Sequence, residues 1–161
     1  MAISPVARRR LEIQGFVGLD DVTLAEAEPW LRFTPAVCTV LMALGTAFAL
    51  PELLWALVPF AALGAVFPTH PFDFVYNYGL RRLTGTKALP HNGAPRRFAC
   101  GMAAVWLAAT ASAFMAGAPA AGYALGGVLT SVATLVSVTH FCIPSLIYGV
   151  LFGRRREAVG A

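Results

Sequence analysis

The stretch FACGMAAVWLAATASAFMA, residues 98–116, carries no charged side chain and decides the fold class of the protein. A helix needs roughly 20 predominantly apolar residues to cross the hydrocarbon core of a bilayer. This stretch therefore predicts a membrane-spanning helix. Over the whole chain 58% of residues are hydrophobic and 12% are charged. That charged fraction is about half the usual share in a soluble domain, so much of the surface must face lipid.

Three further apolar segments predict an all-α integral membrane domain of four transmembrane helices, arranged as two antiparallel hairpins. The predicted spans cover about 34–50, 53–67, 98–116 and 122–142. They lie in a membrane domain, 34–153, between an N-terminal cytoplasmic or interfacial segment, 1–33, and a basic tail, 154–161. Since the first two spans are short, a re-entrant hairpin over 34–67 is the alternative.

The fourth apolar segment continues to residue 152, which is too long for one crossing. Pro144 has no amide proton and crowds the carbonyl of His140. It therefore predicts a kink there and an extension along the interface to 152.

All 12 Lys and Arg residues fall on one side of this four-span arrangement. The positive-inside rule then places both termini and the central loop, 68–97, in the cytoplasm of a multi-pass protein of the bacterial inner membrane. Because the rule explains these cations, no nucleic-acid partner is predicted. Anionic lipids are the expected partners of the basic side chains near the spans, namely Arg81, Arg82, Arg96, Arg97 and Arg154.

Two cytoplasmic stretches have helical patterns of their own. Asp20-Asp21 predicts the cap of a short helix that runs through Glu28 and ends at Pro29. The acidic residues of that segment present either a membrane-lying lead-in or a docking surface.

In the central loop, Pro71 is expected to open an amphipathic interfacial helix with Phe72 and Tyr76 on its aromatic face. Trp30, just before the first span, is expected in an interfacial aromatic belt.

Small residues recur at every fourth position in the third and fourth spans, a pattern that lets membrane helices pack closely. The two rows are Cys100, Ala104, Ala108 and Ser112, and Gly122, Gly126 and Thr130. They predict a tight antiparallel pair.

The three cysteines are all predicted at cytoplasmic ends of spans, so they are expected at one depth. Cys38, Cys100 and Cys142, with His140, provide the donor types of a tetrahedral zinc site, or of a thiol relay. The alternative is that free cysteines act as small buried hydrophobes and that His140 bonds a neighbouring polar group. A pigment or haem ligand role for His140 is a further alternative.

The Arg96-Arg97-Phe98 start of the third span and the FCIPSLIY end of the fourth resemble an uncharacterised family of small bacterial inner-membrane proteins. This family carries a domain-of-unknown-function label, and the resemblance covers about 35–151. Its members have Cys-x-x-Cys where this chain has Cys142 and Ser145. A dithiol cycle needs both sulfurs, so the departure argues against redox chemistry here. The resemblance implies the fold and no mechanism.

No Asp, Glu, Lys or Arg falls inside a span core, which argues against ion-coupled transport. No catalytic motif is present, and neither enzymatic activity nor a resident cofactor is predicted. The residues favour an accessory subunit that packs against other integral membrane proteins, for example in a photosynthetic or respiratory complex. The alternative is a thiol-handling, sulfur-handling or metal-binding protein that acts through Cys142 with Cys100 and Cys38. A carrier with a groove between the helix pairs ranks third.

Overall fold

The computed structural model describes residues 3–153, which are all-α and contain no strand. The helices are α1 (Pro5–Ile13), α2 (Asp21–Ala27), α3 (Phe33–Ala47), α4 (Pro51–Val66), α5 (Pro71–Val75), α6 (Arg81–Thr84), α7 (Ala94–Met115), α8 (Pro119–Thr139) and α9 (Ile143–Tyr148). A 3-10 turn, Trp30–Arg32, leads into α3. Two π-helical turns, Tyr76–Leu80 and Gly149–Gly153, follow α5 and α9. The lipid contact predicted for Arg154 lies outside the described residues.

Three helical stretches of this part of the chain are long and apolar enough to cross a membrane: Trp30–Ala47, Ala94–Met115 and Pro119–Thr139. α4 is shorter, and it passes the same test only together with the helix over Pro71–Thr84, from which it is bent by 86°. The protein therefore has three candidate spans, or four if the bent pair is one span, as expected for a multi-pass membrane protein.

The four long helices pack in a ring in the order α3, α4, α7 and α8, and α8 closes the ring against α3. Their inward faces form one apolar core of Met42, Leu54, Leu57, Ala61, Ala104, Leu107, Ala111 and Leu129. The indole Nε1 of Trp106 donates to the Leu125 carbonyl at 3.0 Å, which ties α7 to α8.

The small-residue rows were predicted to pack the third span against the fourth. In the structure they contact more than one neighbouring helix. Gly122 packs against the ring of Phe114 in α7, but Gly126 packs against Thr46 of α3. In the other row Ala104 belongs to the core, whereas Ser112 is exposed. Because successive fourth positions drift around a helix axis, one row meets more than one neighbour in a ring. Ala108 and Thr130, the remaining members, are half-buried.

α8 ends three residues before the predicted end of the fourth span, and the chain turns at His140 rather than at Pro144. His140 has a φ of 58°, in the left-handed region that ends many helices. Cys142 is extended, and α9 begins at Ile143. Pro144 is the second residue of α9, where a missing amide proton breaks no helical hydrogen bond.

A second apolar core forms where the N-terminal segment folds onto the bundle. It contains Leu11, Phe16, Leu24, Ala27, Leu31, Tyr76 and Leu89. Tyr76 is fully buried there, with its ring 5.0 Å from that of the half-buried Trp30. The prediction of Tyr76 as an interfacial residue was therefore wrong, because α1 and α2 cover the helix face that carries it.

The predicted α2 helix is confirmed, since the Asp20 carboxylate accepts a hydrogen bond from the Thr23 amide at 2.9 Å. The acidic side chains around it do not form a free patch. Asp21 pairs with Arg8, and Glu26 lies 2.9 Å from the Lys87 ammonium.

The prediction that a helix begins at Pro71 is confirmed by α5. Its N-terminus is closed by two bonds, from the Phe72 amide to His70 Nδ1 at 3.2 Å and from the His70 amide to Asp73 at 3.1 Å. The Phe72 ring stacks on that of Phe60, with centroids 5.2 Å apart. This contact places Phe72 against the bundle rather than wholly in a lipid interface.

The neighbouring glycines of α8 provide a matched test of the ring packing. A Cβ at Gly126 would overlap Thr46, whereas a Cβ at Gly127 has no neighbour within 4 Å. We expect Gly126→Ala to lower the free energy of unfolding by about 1–3 kcal/mol through overpacking. Gly127→Ala should raise it by up to about 1 kcal/mol, since alanine favours the helix. Thermal unfolding in a mild detergent measures both, and equal effects of the two substitutions would contradict the α3–α8 contact.

Candidate functional site

The C-terminal end of α8 is held by side chains from the N-terminal part of the chain. The last carbonyls of a helix have no partner within the helix. Here three consecutive carbonyls receive one donor each: Val138 from Arg32 Nη1 at 2.8 Å, Thr139 from Arg10 Nη1 at 2.7 Å, and His140 from Gln14 Nε2 at 2.6 Å. We call these three donors, Arg10, Gln14 and Arg32, the α8 clamp. Two of them are cations at the negative end of the helix dipole, which adds to their stabilising effect.

The His140 ring lies beneath this clamp and is 3% exposed. Its Nε2 atom is 2.9 Å from Arg32 Nε and 2.9 Å from Glu28 Oε1. Arg32 Nη2 also donates to Glu28 at 2.6 Å. One ring nitrogen cannot accept and donate at once, so the neutral ring accepts from Arg32 or donates to Glu28, and the protonated ring only donates.

Burial lowers the pKa of His140 from its ordinary 6.5, and the hydrogen bond to Glu28 opposes that shift only partly. Burial alone would raise the pKa of Glu28, but the hydrogen bonds from Arg32 and His140 outweigh it and lower that pKa from 4.5. At pH 7 the cluster therefore holds a neutral imidazole between a cation and a carboxylate. With its Nε2 already engaged, His140 is poorly placed to ligate a haem or a pigment.

The three cysteines meet at another place, a cavity of about 310 Å³ inside the helix bundle. Cys38 comes from α3, Cys100 from α7, and Cys142 from the residue before α9. All three are free thiols. The cavity walls are mostly apolar and include Met42, Leu107 and Leu129. The sequence predicted a common depth for the thiols, and the structure brings them to one cavity.

Sulfur is concentrated at this cavity. Met42 and Met102 line it together with Cys38, Cys100 and Cys142. These are five of the seven sulfur-bearing side chains in the sequence, which has three cysteines and four methionines. Thioether and thiol sulfur atoms are polarisable and bond water weakly, so they make a soft, largely apolar wall.

Polar groups also line the cavity. Arg96, at the start of α7, is buried and lines it, as do Gln14 and the ring of His70. A Cβ at Gly64 would meet both the His70 ring and the Cys100 thiol, so these two side chains share the space that the glycine leaves open. No sequence pattern predicted that His70 or Gln14 lines a cavity, and Arg96 was predicted at a lipid interface.

Ser145 lies one turn after Cys142 and is 1% exposed, with no hydrogen-bond partner for its hydroxyl among the described residues. The resemblance implied a second cysteine at this position, and the structure shows that the serine found there is buried. Within residues 3–153 no three His, Cys, Asp or Glu side chains are grouped closely enough to hold a metal ion. His140, the fourth ligand of the zinc hypothesis, faces Glu28 instead of the thiols.

The other arginines that were predicted at the membrane interface have two different environments. The guanidinium of Arg97 donates to the carbonyls of Ala65 and Val66 at 3.0 and 2.6 Å, and so caps α4. Arg82 is exposed and Arg81 half-buried, which leaves both accessible to a membrane surface.

The His140 cluster predicts a loss of stability in acid. Because the folded protein has the lower pKa, the unfolded chain binds the proton first as the pH falls through 6.5, and the free energy of unfolding falls with it. We expect the melting temperature of the protein to decrease from pH 7.5 to pH 5.5. The melting temperature of His140→Asn should fall less over the same pH range. Asparagine is chosen because it tolerates the left-handed backbone at this position. An equal pH dependence of the two proteins would show that His140 does not titrate in this window.

The cavity lies mostly within a region of the chain that is shared with a known family. Residues 27–152 match the model of a family described as Domain of unknown function (DUF4395), which covers the ring of helices, the α8 end and all three cysteines. No curated protein and no solved structure matches the chain. The chain belongs to the DUF4395 family of uncharacterised proteins.

Proposed function

We propose that this protein binds a small sulfur-containing compound inside the membrane, in the cavity where Cys38, Cys100 and Cys142 meet. The observation that carries the proposal is the sulfur lining, since five of the seven sulfur-bearing side chains surround one space. A volume of about 310 Å³ lies at the lower end of the range of roughly 300–1,000 Å³ for small-molecule sites.

We propose that the ligand binds reversibly through noncovalent contacts with the thiols, without dithiol exchange. A local exchange cycle would need a second thiol one turn after Cys142, and Ser145 stands there. Free thiols in an apolar wall pack well against polarisable sulfur atoms of a ligand. Cys142 is the most buried of the three and is expected to contact the ligand together with Cys100 and Cys38.

We place the protein in the bacterial inner membrane with both termini in the cytoplasm and the long helices as two antiparallel hairpins. The one-sided distribution of Lys and Arg supports this orientation. The exposed side chains of Val75, Tyr78 and Leu83 support contact of the helix over Pro71–Thr84 with the headgroup layer. Arg81 and Arg82 are the proposed contacts to anionic lipids.

A matched pair of ligands tests the sulfur-binding function. Dipropyl sulfide and heptane have the same chain length and differ by one sulfur atom in place of one methylene group. We expect dipropyl sulfide to raise the melting temperature of the purified protein more than heptane does at equal concentration. The reason is that its sulfur atom meets the polarisable cavity wall.

Two conservative variants supply the controls. Met102→Leu removes a sulfur atom from the cavity and should reduce the preference for the sulfide. Met115→Leu removes an exposed sulfur atom and should leave the preference unchanged. If the protein responds equally to both ligands, or if Met115→Leu acts like Met102→Leu, the sulfur-binding function is wrong.

An accessory role in a membrane complex is the second candidate, and the outer face of α8 favours it. Among the three candidate spans, α8 buries the smallest share of its residues. Its exposed positions include Ala124, Gly127 and Ser131, a spacing at which small side chains allow the close approach of another membrane helix.

Purification in a mild detergent, followed by native mass spectrometry, tests the accessory role. An accessory subunit should be recovered with another integral membrane protein in a fixed ratio. Gly127→Leu should release that partner without lowering the melting temperature of the isolated chain. Recovery of the wild-type protein only as a free monomer would exclude this role and would leave the ligand-binding proposal unaffected.

A further inference from the structure

Arg96 is a buried cation in the wall of the cavity. It is the third residue of α7 and is 8% exposed. Its side chain lines the same space as the three thiols. An arginine guanidinium is always positively charged in proteins.

The protein itself uses little of this guanidinium. Among residues 3–153 its hydrogen bonding is limited to Nη2, which donates to the Leu31 carbonyl at 3.2 Å. The guanidinium carbon also lies over the ring of Phe16, 5.2 Å from the ring centroid. Since a guanidinium has five N–H donors, most of them remain free to bind another group.

Arg96 also has no carboxylate partner in the described part of the chain. The ion pairs there are formed by other basic side chains. Asp73 is the one carboxylate buried there, and it has donors of its own. The Thr34 hydroxyl donates to it at 2.6 Å, the Asn92 amide at 3.0 Å, and the His70 backbone amide at 3.1 Å. Asp73 is therefore bound elsewhere and does not neutralise the Arg96 charge by direct contact.

A buried charge without a direct partner is costly, and an anion that reaches it recovers much of that cost. Arg97, the next residue, shows the contrast, because its donors are used by two carbonyls at the end of α4. Arg96 instead presents unused donors and a full positive charge to a cavity. Guanidinium donors in this arrangement favour planar anions, which they bind through two parallel hydrogen bonds.

We propose that Arg96 is the anion-binding residue of the cavity and that the ligand is a small sulfur compound with a single negative charge. This inference rests on the proposed function and narrows its ligand class. The anionic group would lie against Arg96, and the sulfur-containing body would extend along Cys100, Met42 and the apolar wall. One unpaired cation in the wall matches one negative charge on the ligand.

A charged thioether and its neutral amide test this assignment. The probes are 3-(propylthio)propanoate and 3-(propylthio)propanamide, which differ only at the terminal group. Hydrogen bonds between two ionised groups are stronger than those from an ionised group to a neutral one. We therefore expect the full-length protein in detergent to bind the carboxylate at least about tenfold more tightly than the amide. Isothermal titration calorimetry measures both dissociation constants.

Substitutions distinguish a specific contact of the carboxylate with Arg96 from an effect of the overall charge of the protein. Arg96→Gln should abolish the preference for the carboxylate, and Arg96→Lys should retain part of it because the charge stays. Arg82→Gln removes one exposed positive charge and should leave the preference unchanged. If Arg96→Gln does not fold, the Lys variant and the two probes on the wild-type protein still decide the question.

Two outcomes would overturn the inference. Equal affinity of the wild-type protein for carboxylate and amide would show that Arg96 binds no anion, while a preference for dipropyl sulfide over heptane would keep the sulfur-binding function intact. Loss of the preference in Arg82→Gln would show that the carboxylate responds to overall charge alone. Failure of both thioethers and of dipropyl sulfide to bind would remove the proposed function and this inference together.

Discussion

The requirement that the last carbonyls of α8 find hydrogen-bond donors shapes much of the described structure. The hydrogen bond to the His140 carbonyl is buried, and a buried carbonyl without a partner costs free energy. The α8 clamp meets this requirement with Arg10, Gln14 and Arg32. To deliver those donors, the N-terminal segment must fold across the bundle end, and its apolar face then forms the second core with Tyr76.

The same turn at His140 assembles the cavity. Because α8 stops there, Cys142 and the first residues of α9 run back toward α7 instead of continuing outward. Cys142 and Pro144 become part of the wall that faces Cys100. Gln14 belongs both to the α8 clamp and to that wall, so the closure of the bundle end and the shape of the cavity depend on one side chain.

Sequence patterns predicted what depends on local chemistry. Length and hydropathy identified three candidate spans, and a fourth only as the bent pair of α4 and the helix after it. Asp20 identified the start of α2, and Pro71 identified the start of the helix after α4. The turn at His140 was missed because a histidine in a left-handed conformation is unusual, whereas Pro144 is a strong local signal for a break. The burial of Tyr76 and the placement of Arg96 were missed because both depend on N-terminal residues that are distant in the sequence.

Basic residues of a membrane protein therefore have several structural roles, and the positive-inside rule does not distinguish between them. Arg97, Arg32 and Arg10 donate to helix ends, Arg82 is exposed at the surface, and Arg96 faces a cavity. A guanidinium at a helix end is neutralised in part by the helix dipole and has its donors filled. Arg96 donates to one carbonyl, that of Leu31, while the rest of its guanidinium faces an apolar, sulfur-lined space, where we propose that an anion binds it. The position of a charge along the chain is thus less informative than the number of its donors that the protein leaves unused.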